Sequence, residues 1–161
     1  MNGSANQTAP HDAGPHLAAP PETRDADPRV ADLMSRQLVG IVPDAPLPVA
    51  LRLMVSTGVR HLPVIAGDQC TGLVLETDVA PALAGVPGAD VRWVGELCRD
   101  APRLRPQDRR STAAARMRDT GIDAAVVVHR GRLVGILTAT DLIRSLAADQ
   151  PAPLPTEPSP P

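Results

Sequence analysis

The pattern of apolar and polar positions divides the middle of the chain into two similar halves. In the first half, apolar residues at helical spacing over 49–54 predict a helix, and Gly58 is placed to end it in the left-handed conformation. Two aliphatic runs of strand length follow, at 62–65 and 73–75, with a polar turn between them. A second helix is predicted at 78–83. With a short leading strand, the predicted order is strand, helix, strand, strand, helix.

The second half repeats this order, with helices predicted at 111–119 and 141–148 and strands at 125–128 and 133–137. A proline, a methionine, a Thr-Gly pair and a closing aspartate recur at an offset of 63 residues without a gap. A unit of about 60 residues is marginal by itself, so we expect the two copies to pack together through their sheets. The predicted fold is α/β (α+β), with two β-α-β-β-α repeats related by a pseudo-twofold axis.

The folded part of the chain is predicted to lie between two tails. Residues 1–28 have no hydrophobic period and residues 149–161 are rich in proline, so we expect neither segment to bury enough apolar surface to fold. The first repeat is assigned to residues 29–89 and the second to residues 90–148.

Composition narrows the classes of function. The chain has 161 residues, a formal net charge of −2 and one aromatic side chain, Trp93. Its basic residues are all arginines and form no stripe along the sequence, so nucleic acid is not an expected partner. No segment has the character of a membrane span or a signal peptide, and Cys70 and Cys98 form no metal motif. We therefore expect a cytoplasmic protein with free thiols.

Catalytic and metal-binding constellations are not apparent in the sequence. No nucleophile has a histidine and an acid at plausible spacing, and the carboxylates occur singly. His61 has no second histidine, cysteine or acidic cluster in its segment that could complete a metal site. The chain is therefore predicted not to be an enzyme and to hold no metal.

Each repeat closes with a glycine, an apolar strand and an aspartate near a helix start. In the second copy, 135–141, Thr138 and Asp141 form a Thr-x-x-Asp step, and the first copy, 72–78, ends at Asp78. Free backbone N–H groups and the positive end of the helix dipole, beside a hydroxyl and a carboxylate, can hold a phosphate or a ribose. The same step is also an ordinary helix cap, and both interpretations stay open at this point.

The doubled pattern resembles a tandem pair of cystathionine β-synthase (CBS) domains, the Bateman module. In the first copy the resemblance is carried by Val30-x-x-Leu33-Met34, the helix start from Pro43 to Met54, Thr57 to Val64, Gly72 to Val74 and Asp78. Their partners in the second copy extend it over roughly residues 29–148. The resemblance implies a protein that binds an adenosine-containing ligand between its repeats and regulates another protein, without being an enzyme.

The resemblance also implies roles for individual residues. The regulatory ligand is AMP, ADP, ATP or S-adenosylmethionine, with Asp141 on the ribose and the Thr138 hydroxyl on a phosphate. Adenine is expected against the first strand and the helix–strand turn of the other copy, where the matching positions are Met34, Val39, Val59, Arg60 and His61. Arg60 is also placed to reach a phosphate from across the cleft, because a guanidinium is a strong phosphate partner.

Departures from the family pattern distinguish the two sites. Leu75 replaces the hydroxyl residue in the first copy, and Glu76 adds a negative charge beside it, so the site at Asp78 is expected to be degenerate. Asp123 occupies a turn position in the second copy that is often basic in nucleotide binders, and its carboxylate is expected to repel a phosphate. We expect one working site, at Asp141, and the capping interpretation stays open for both aspartates.

Two hypotheses for the function follow. In the first, the chain is a stand-alone regulatory CBS pair that senses an adenosine-containing ligand and signals to a partner in trans. In the second, it is a dimerisation or interaction scaffold whose clefts bind nothing. In both, the helices at 49–57 and 113–120 present small and aliphatic residues that one module cannot cover, which predicts a homodimer.

Overall fold

The computed structural model describes residues 26–85 and 92–149. Apart from residues 26–28 and Asp149, the two predicted tails lie outside the described residues.

The first half begins with a one-turn helix, α1 (Val30–Leu33), which the hydrophobic pattern did not predict. It continues with α2 (Leu47–Thr57), β1 (His61–Ala66), β2 (Gln69–Leu75) and α3 (Glu76–Ala84). Gly58 ends α2 with a φ of 70°, a left-handed conformation that glycine adopts without steric cost. β1 and β2 are antiparallel, and the predicted leading strand is reduced to one parallel bridge between Ile41 and Val64.

The second half repeats this order with α4 (Val94–Leu97), β3 (Arg103–Leu104), α5 (Arg110–Thr120), β4 (Ala124–His129), β5 (Arg132–Thr138) and α6 (Ala139–Asp149). Gly121 ends α5 as Gly58 ends α2, with a φ of 66°. β3 is parallel to β4, and β4 is antiparallel to β5, so this half has a three-stranded sheet. Apart from the leading strand, each predicted helix and strand lies inside an observed element of the same type.

Each one-turn leading helix packs into the core of the other half. Val30 of α1 is fully buried in the core of the second half, and Val94 of α4 is fully buried in the core of the first. Backbone hydrogen bonds also join each leading helix to the other half. The Val30 N–H donates to the Asp108 carbonyl at 2.8 Å, and the Val94 N–H donates to the Ala45 carbonyl at 2.9 Å. The repeat boundaries predicted from the sequence, 29–89 and 90–148, group each leading helix with the residues that follow it. They do not describe its packing into the other half.

A third apolar cluster joins the two sheets. It is made of buried residues from β2, from β4 and from the segments that precede β3 and β4: Cys70, Leu73, Leu75, Ala101, Ile122, Ala124 and Val126. The prediction that the repeats pack through their sheets is therefore confirmed. Both cysteines are free thiols, and burial raises the pKa of Cys70.

Residues 26–28 lie against α5, although the sequence placed them in the N-terminal tail. The Asp27 carboxylate accepts hydrogen bonds from the Ser111 N–H at 2.9 Å and from the Ser111 hydroxyl at 2.6 Å. The Pro28 carbonyl accepts from the Arg110 N–H at 2.9 Å. A carboxylate distant in sequence thus satisfies a free N–H group at the start of α5. The two bonds from Ser111 lower the pKa of Asp27 below its ordinary value.

Candidate functional site

The junction of β5 and α6 faces the turn between α2 and β1 across a cavity of about 370 Å³. The second repeat contributes Thr138 and Asp141 to its wall, and the first repeat contributes Val59, Arg60 and His61. The structure therefore brings together five of the residues that the resemblance assigned to one site. Three of them, Val59, Arg60 and His61, lie between the end of α2 and the start of β1, and the other two lie at the end of β5 and in the first turn of α6.

Thr138 and Asp141 form a reciprocal cap at the start of α6. The Thr138 N–H and hydroxyl donate to Oδ2 of Asp141 at 2.9 and 2.8 Å, and the Asp141 N–H points back to the Thr138 hydroxyl oxygen at 3.3 Å. The predicted cap is therefore present. A hydroxyl has a single proton, and here Asp141 takes it, so Thr138 cannot donate to a phosphate while this arrangement persists.

The other carboxylate oxygen of Asp141 remains available to a ligand. Oδ1 takes no bond from Thr138 and lies 3.5 Å from the guanidinium of Arg144, three residues further along α6. Arg144 lines the cavity with its side chain 76% exposed, so a ligand can displace this weak ion pair. The cap thus orients the carboxylate, and Oδ1 is the oxygen placed to bind a hydroxyl group.

His61 is held in the cavity wall by a residue of the other repeat. Its Nε2 lies 2.6 Å from Oδ1 of Asp123, which sits on the turn between α5 and β4. Burial raises the pKa of the Asp123 carboxyl, but the hydrogen bond from His61 and the charges of His61 and Arg60 outweigh it and hold that pKa below its ordinary value. The carboxylate that the sequence marked as repulsive to phosphate therefore serves to position His61.

Two predicted adenine contacts, Met34 and Val39, do not line this cavity. Val39 packs against the core of the first repeat. Met34 lies against Gly135, where an added Cβ would sit 2.5 Å from its sulfur. Alternate residues of a strand face opposite sides, so Met34 covers one face of β5 while Ile136 and Thr138 face the cavity on the other. The structure therefore places both residues away from this cavity, and their role as adenine contacts stays a prediction.

Apolar side chains and an arginine occupy the twin position around Asp78. Leu75, Ile122 and Ala124, which correspond to Thr138, Val59 and His61 at the offset of 63, all belong to the buried cluster between the sheets.

Arg99 completes the closure of the twin position. Arg99 bridges Leu73 of β2 as Ser35, a cavity residue of the Asp141 site, bridges Ile136 of β5. The Arg99 guanidinium lies 2.5 Å from Oδ1 of Asp78. Oδ2 of Asp78 is buried and has no hydrogen-bond partner among the described residues. Arg99 therefore pairs with the Asp78 carboxylate, which a ligand at this position would need to contact.

Several cavity residues were not anticipated from the sequence. Ser35, Gln37, Ile136, Thr140 and Arg144 all line the cavity. Helical spacing could have identified Arg144, because a residue three positions after Asp141 lies on the same face of α6. No local pattern distinguishes Ser35, which reaches β5 through paired backbone hydrogen bonds with Ile136 at 2.9 and 3.0 Å.

The family model of the CBS domain matches residues 30–85 and 94–148. The chain belongs to the CBS domain family. Because both copies match in tandem, the molecule is a CBS pair, and the resemblance drawn from the repeat is confirmed. Proteins built on CBS pairs are generally regulatory rather than catalytic.

This chain is similar to part of two longer curated proteins. It is 28% identical over 121 residues to the uncharacterised protein MJ1225 of Methanocaldococcus jannaschii, covering 74% of this chain and 43% of that protein. It is 34% identical over 112 residues to homoserine O-acetyltransferase of Methanohalophilus mahii, covering 68% of this chain and 23% of that enzyme. The CBS pair spans less than half the length of either relative, so the activity of the whole relative is not assigned to this chain.

Solved structures share the fold of this CBS pair. The CBS domain pair of protein MJ0100, in complex with 5′-methylthioadenosine and S-adenosyl-L-methionine, has a TM-score of 0.69 at 21% identity and covers 77% of this chain and 99% of its own. CBSX2 in complex with AMP has a TM-score of 0.62 at 26% identity and covers 74% and 96%. The mixed helices and small sheets described above are those of known CBS pairs.

Neither a membrane nor a metal is indicated by residues 26–85 and 92–149. None of their helices combines the length and the apolar character that crossing a bilayer requires. The same residues contain no group of three or more metal-ligating side chains.

Proposed function

We propose that this CBS pair binds one adenosine-containing ligand in the Asp141 cavity and regulates a partner protein in trans. We place it in the cytoplasm and assign it no catalytic role. The observation that carries the proposal is a single cavity, built by both repeats, that combines a carboxylate, two arginines and aliphatic side chains. The adenosine compounds bound by the MJ0100 pair and the AMP bound by CBSX2 support this class of ligand.

Each part of the ligand has a proposed partner in the cavity. Oδ1 of Asp141 accepts a hydrogen bond from each hydroxyl of the ribose diol, and a carboxylate forms stronger bonds with such donors than a neutral group does. The guanidiniums of Arg60 and Arg144 neutralise a phosphate, in place of the Thr138 hydroxyl that the cap occupies. Because the described wall has no aromatic ring other than the His61 imidazole, aliphatic side chains and backbone groups hold the adenine.

The construction of the cavity explains how binding could be signalled. Arg60 and His61 come from the first repeat, whereas Asp141 and Arg144 come from the second, so a bound ligand bridges both. It favours the arrangement of repeats in which both sets of groups reach it, and it shifts the population toward that arrangement. A partner that binds the same arrangement more tightly is then recruited by the ligand.

A scaffold without a ligand is the second candidate. The observation that favours it is the cap between Thr138 and Asp141, which satisfies both side chains without a ligand. The closure of the Asp78 position by Arg99 points in the same direction. On this alternative, calorimetric titration with adenosine, AMP, ATP and S-adenosylmethionine gives no heat of binding at any concentration up to the millimolar range.

Replacing Arg60 with alanine should separate the phosphate contact from the rest of the site. We expect the affinity for AMP or ATP to fall about ten-fold, or roughly 1.4 kcal/mol, while the affinity for adenosine stays unchanged. Calorimetric titration of the three ligands against wild type and variant measures both effects. Arg52→Ala is the matched control, since this exposed arginine of α2 is not part of the cavity wall. An equal loss for adenosine would contradict the phosphate role of Arg60.

We also propose that two CBS pairs form a homodimer through their helical faces. Val55 and Val49 of α2 have exposed fractions of 72% and 37%. In the second half the exposed apolar side chain is Ile143 of α6, at 65%, whereas Ala113 and Met117 of the predicted helix α5 are buried. Sedimentation velocity at about tens of micromolar should show a dimer, and Val55→Glu should dissociate it because a buried unpaired charge is costly. Val42→Glu, at a valine that is 52% exposed but lies outside the helices, should leave the dimer intact. A monomeric wild type would exclude the dimer.

A further inference from the structure

A second cavity, away from Asp141, is lined by a concentration of arginines. It has a volume of about 640 Å³ and lies between the end of β3, the middle of α5 and the turn that joins β4 to β5. Its wall carries the side chains of Arg103, Arg105, Arg116 and Arg130, with Asp108 as the one acidic residue. This wall is strongly basic, although the whole chain has a formal net charge of −2.

Two of these arginines are anchored and two are free to bind. The Arg103 guanidinium donates to the Cys70 carbonyl at 3.0 Å, and that of Arg116 donates to the Arg103 carbonyl and lies 3.4 Å from Asp108. Within the described part of the chain, the guanidiniums of Arg105 and Arg130 have no hydrogen-bond or ion-pair partner. The wall therefore combines two anchored guanidiniums with two others whose N–H groups can donate to a ligand.

The first repeat shows that the fold does not require these arginines. At the offset of 63 residues, the positions of Arg103, Arg105, Arg116 and Arg130 are held by Gly40, Val42, Leu53 and Gly67. The helices and the antiparallel strand pair that both halves share therefore form without arginines at these positions, although β3, which carries Arg103, has no counterpart strand in the first half. Without an anion the four charges repel one another, and that repulsion is a cost that a bound anion removes.

We propose that this cavity, here called the arginine cavity, binds a small anion with two or more phosphate groups. Guanidiniums match phosphate oxygens in a bidentate manner, and arginines from separate elements can contact successive phosphates of one ligand. The cavity volume lies in the range of small-molecule sites, and its concave shape suits a compact ligand better than an extended polymer. Its wall has four arginines and only two aliphatic residues, Leu104 and Val128, so we expect the phosphates to supply most of the binding.

Titration of the full chain with inorganic tripolyphosphate tests this proposal. We expect saturable binding by calorimetry, at least about ten-fold tighter than that of orthophosphate, because only the longer anion can engage several arginines at once. Arg105→Gln and Arg130→Gln should each weaken tripolyphosphate binding about ten-fold. Neither guanidinium has a described partner to lose, and the backbone hydrogen bonds of Arg105 with Asp108 remain in the variant, so both variants should keep the wild-type melting temperature. Arg52→Gln removes the same charge from an exposed position on α2 and should leave the affinity unchanged.

The outcomes separate this site from the adenosine cavity. The proposal requires that Arg60→Ala retain the tripolyphosphate site. If Arg60→Ala abolishes binding while Arg105→Gln and Arg130→Gln have no effect, the anion occupies the Asp141 cavity and the proposal is wrong. Equal weakening by Arg52→Gln would show attraction to overall charge, and the absence of saturable binding, or orthophosphate binding as tightly, would also overturn it. Binding of adenosine is independent of these results, so the two proposals can fail separately.

Discussion

Replacing Asp141 with alanine is expected to weaken the binding of adenosine compounds by about 30- to 1000-fold. On the proposed function, the ribose diol loses a charge-assisted pair of hydrogen bonds, which together contribute about 2–4 kcal/mol. The loss should be similar for adenosine, AMP and ATP, since all three carry the same ribose. Calorimetric titration of wild type and variant with each ligand measures it.

The cap between Thr138 and Asp141 makes controls for folding necessary. Asp141→Ala removes one partner of that cap and should cost about 1 kcal/mol of folding stability, which thermal unfolding will show. Thr138→Val removes the capping hydroxyl but keeps the carboxylate, so it should lower stability similarly and affinity much less. If both variants lost affinity equally, the cap and not the carboxylate would be responsible.

Asp78→Ala provides the control for the twin position. Arg99 already holds the Asp78 carboxylate, and buried apolar side chains occupy the surrounding space. We expect this variant to retain wild-type affinity and stoichiometry for every ligand. Equal losses at Asp78 and Asp141 would refute the proposal of a single working site.

Replacing Gly72 with alanine is expected to destabilise the fold by about 3 kcal/mol or more. An added Cβ would lie 2.2 Å from the carbonyl oxygen of Arg99 and 2.8 Å from the sulfur of Cys98. The Arg99 backbone cannot move away easily, because its N–H and carbonyl are hydrogen bonded to Leu73 at 2.8 and 3.0 Å. Urea denaturation followed by circular dichroism gives the free energy of unfolding.

Gly135→Ala is the matched comparison, because Gly135 stands at the equivalent position of the second repeat. There the nearest atom to an added Cβ is the Met34 sulfur at 2.5 Å, and the Ser35 carbonyl oxygen is at 3.0 Å. A flexible thioether can move more easily than a backbone carbonyl, so we expect a smaller loss of about 1–2 kcal/mol. A loss at Gly135 as large as that at Gly72 would contradict this account of the clash.

Much of the candidate site could be predicted from the repeat. Thr138 and Asp141 stand out because the strand-to-helix step occurs twice, and the resemblance to CBS pairs implied that Arg60 and His61 belong to the same site. The structure places all four around one cavity. Met34 lies away from this cavity because a residue's register against a strand decides which face it covers, and no local pattern contains that register.

The partners of charged side chains were also beyond sequence reasoning. The sequence marked Asp123 as a repulsive charge, but in the structure it holds His61 of the other repeat at 2.6 Å. Arg99 had no assigned role, yet it reaches Asp78 across 21 residues of chain. Such pairs depend on long side chains that meet only after the two halves have packed, so neither spacing nor periodicity predicts them.

The sequence by itself determined the number of repeats, the order of their helices and strands, and the glycines that end α2 and α5. These features depend on local periodicity and on the backbone conformations available to individual residues. Only the tertiary structure decided that α1 packs into the core of the second half, that α4 packs into the core of the first, and that Asp27 caps α5. It alone brought together four arginines spread over residues 103–130, because the relative placement of strands, helices and turns depends on contacts between residues distant in sequence.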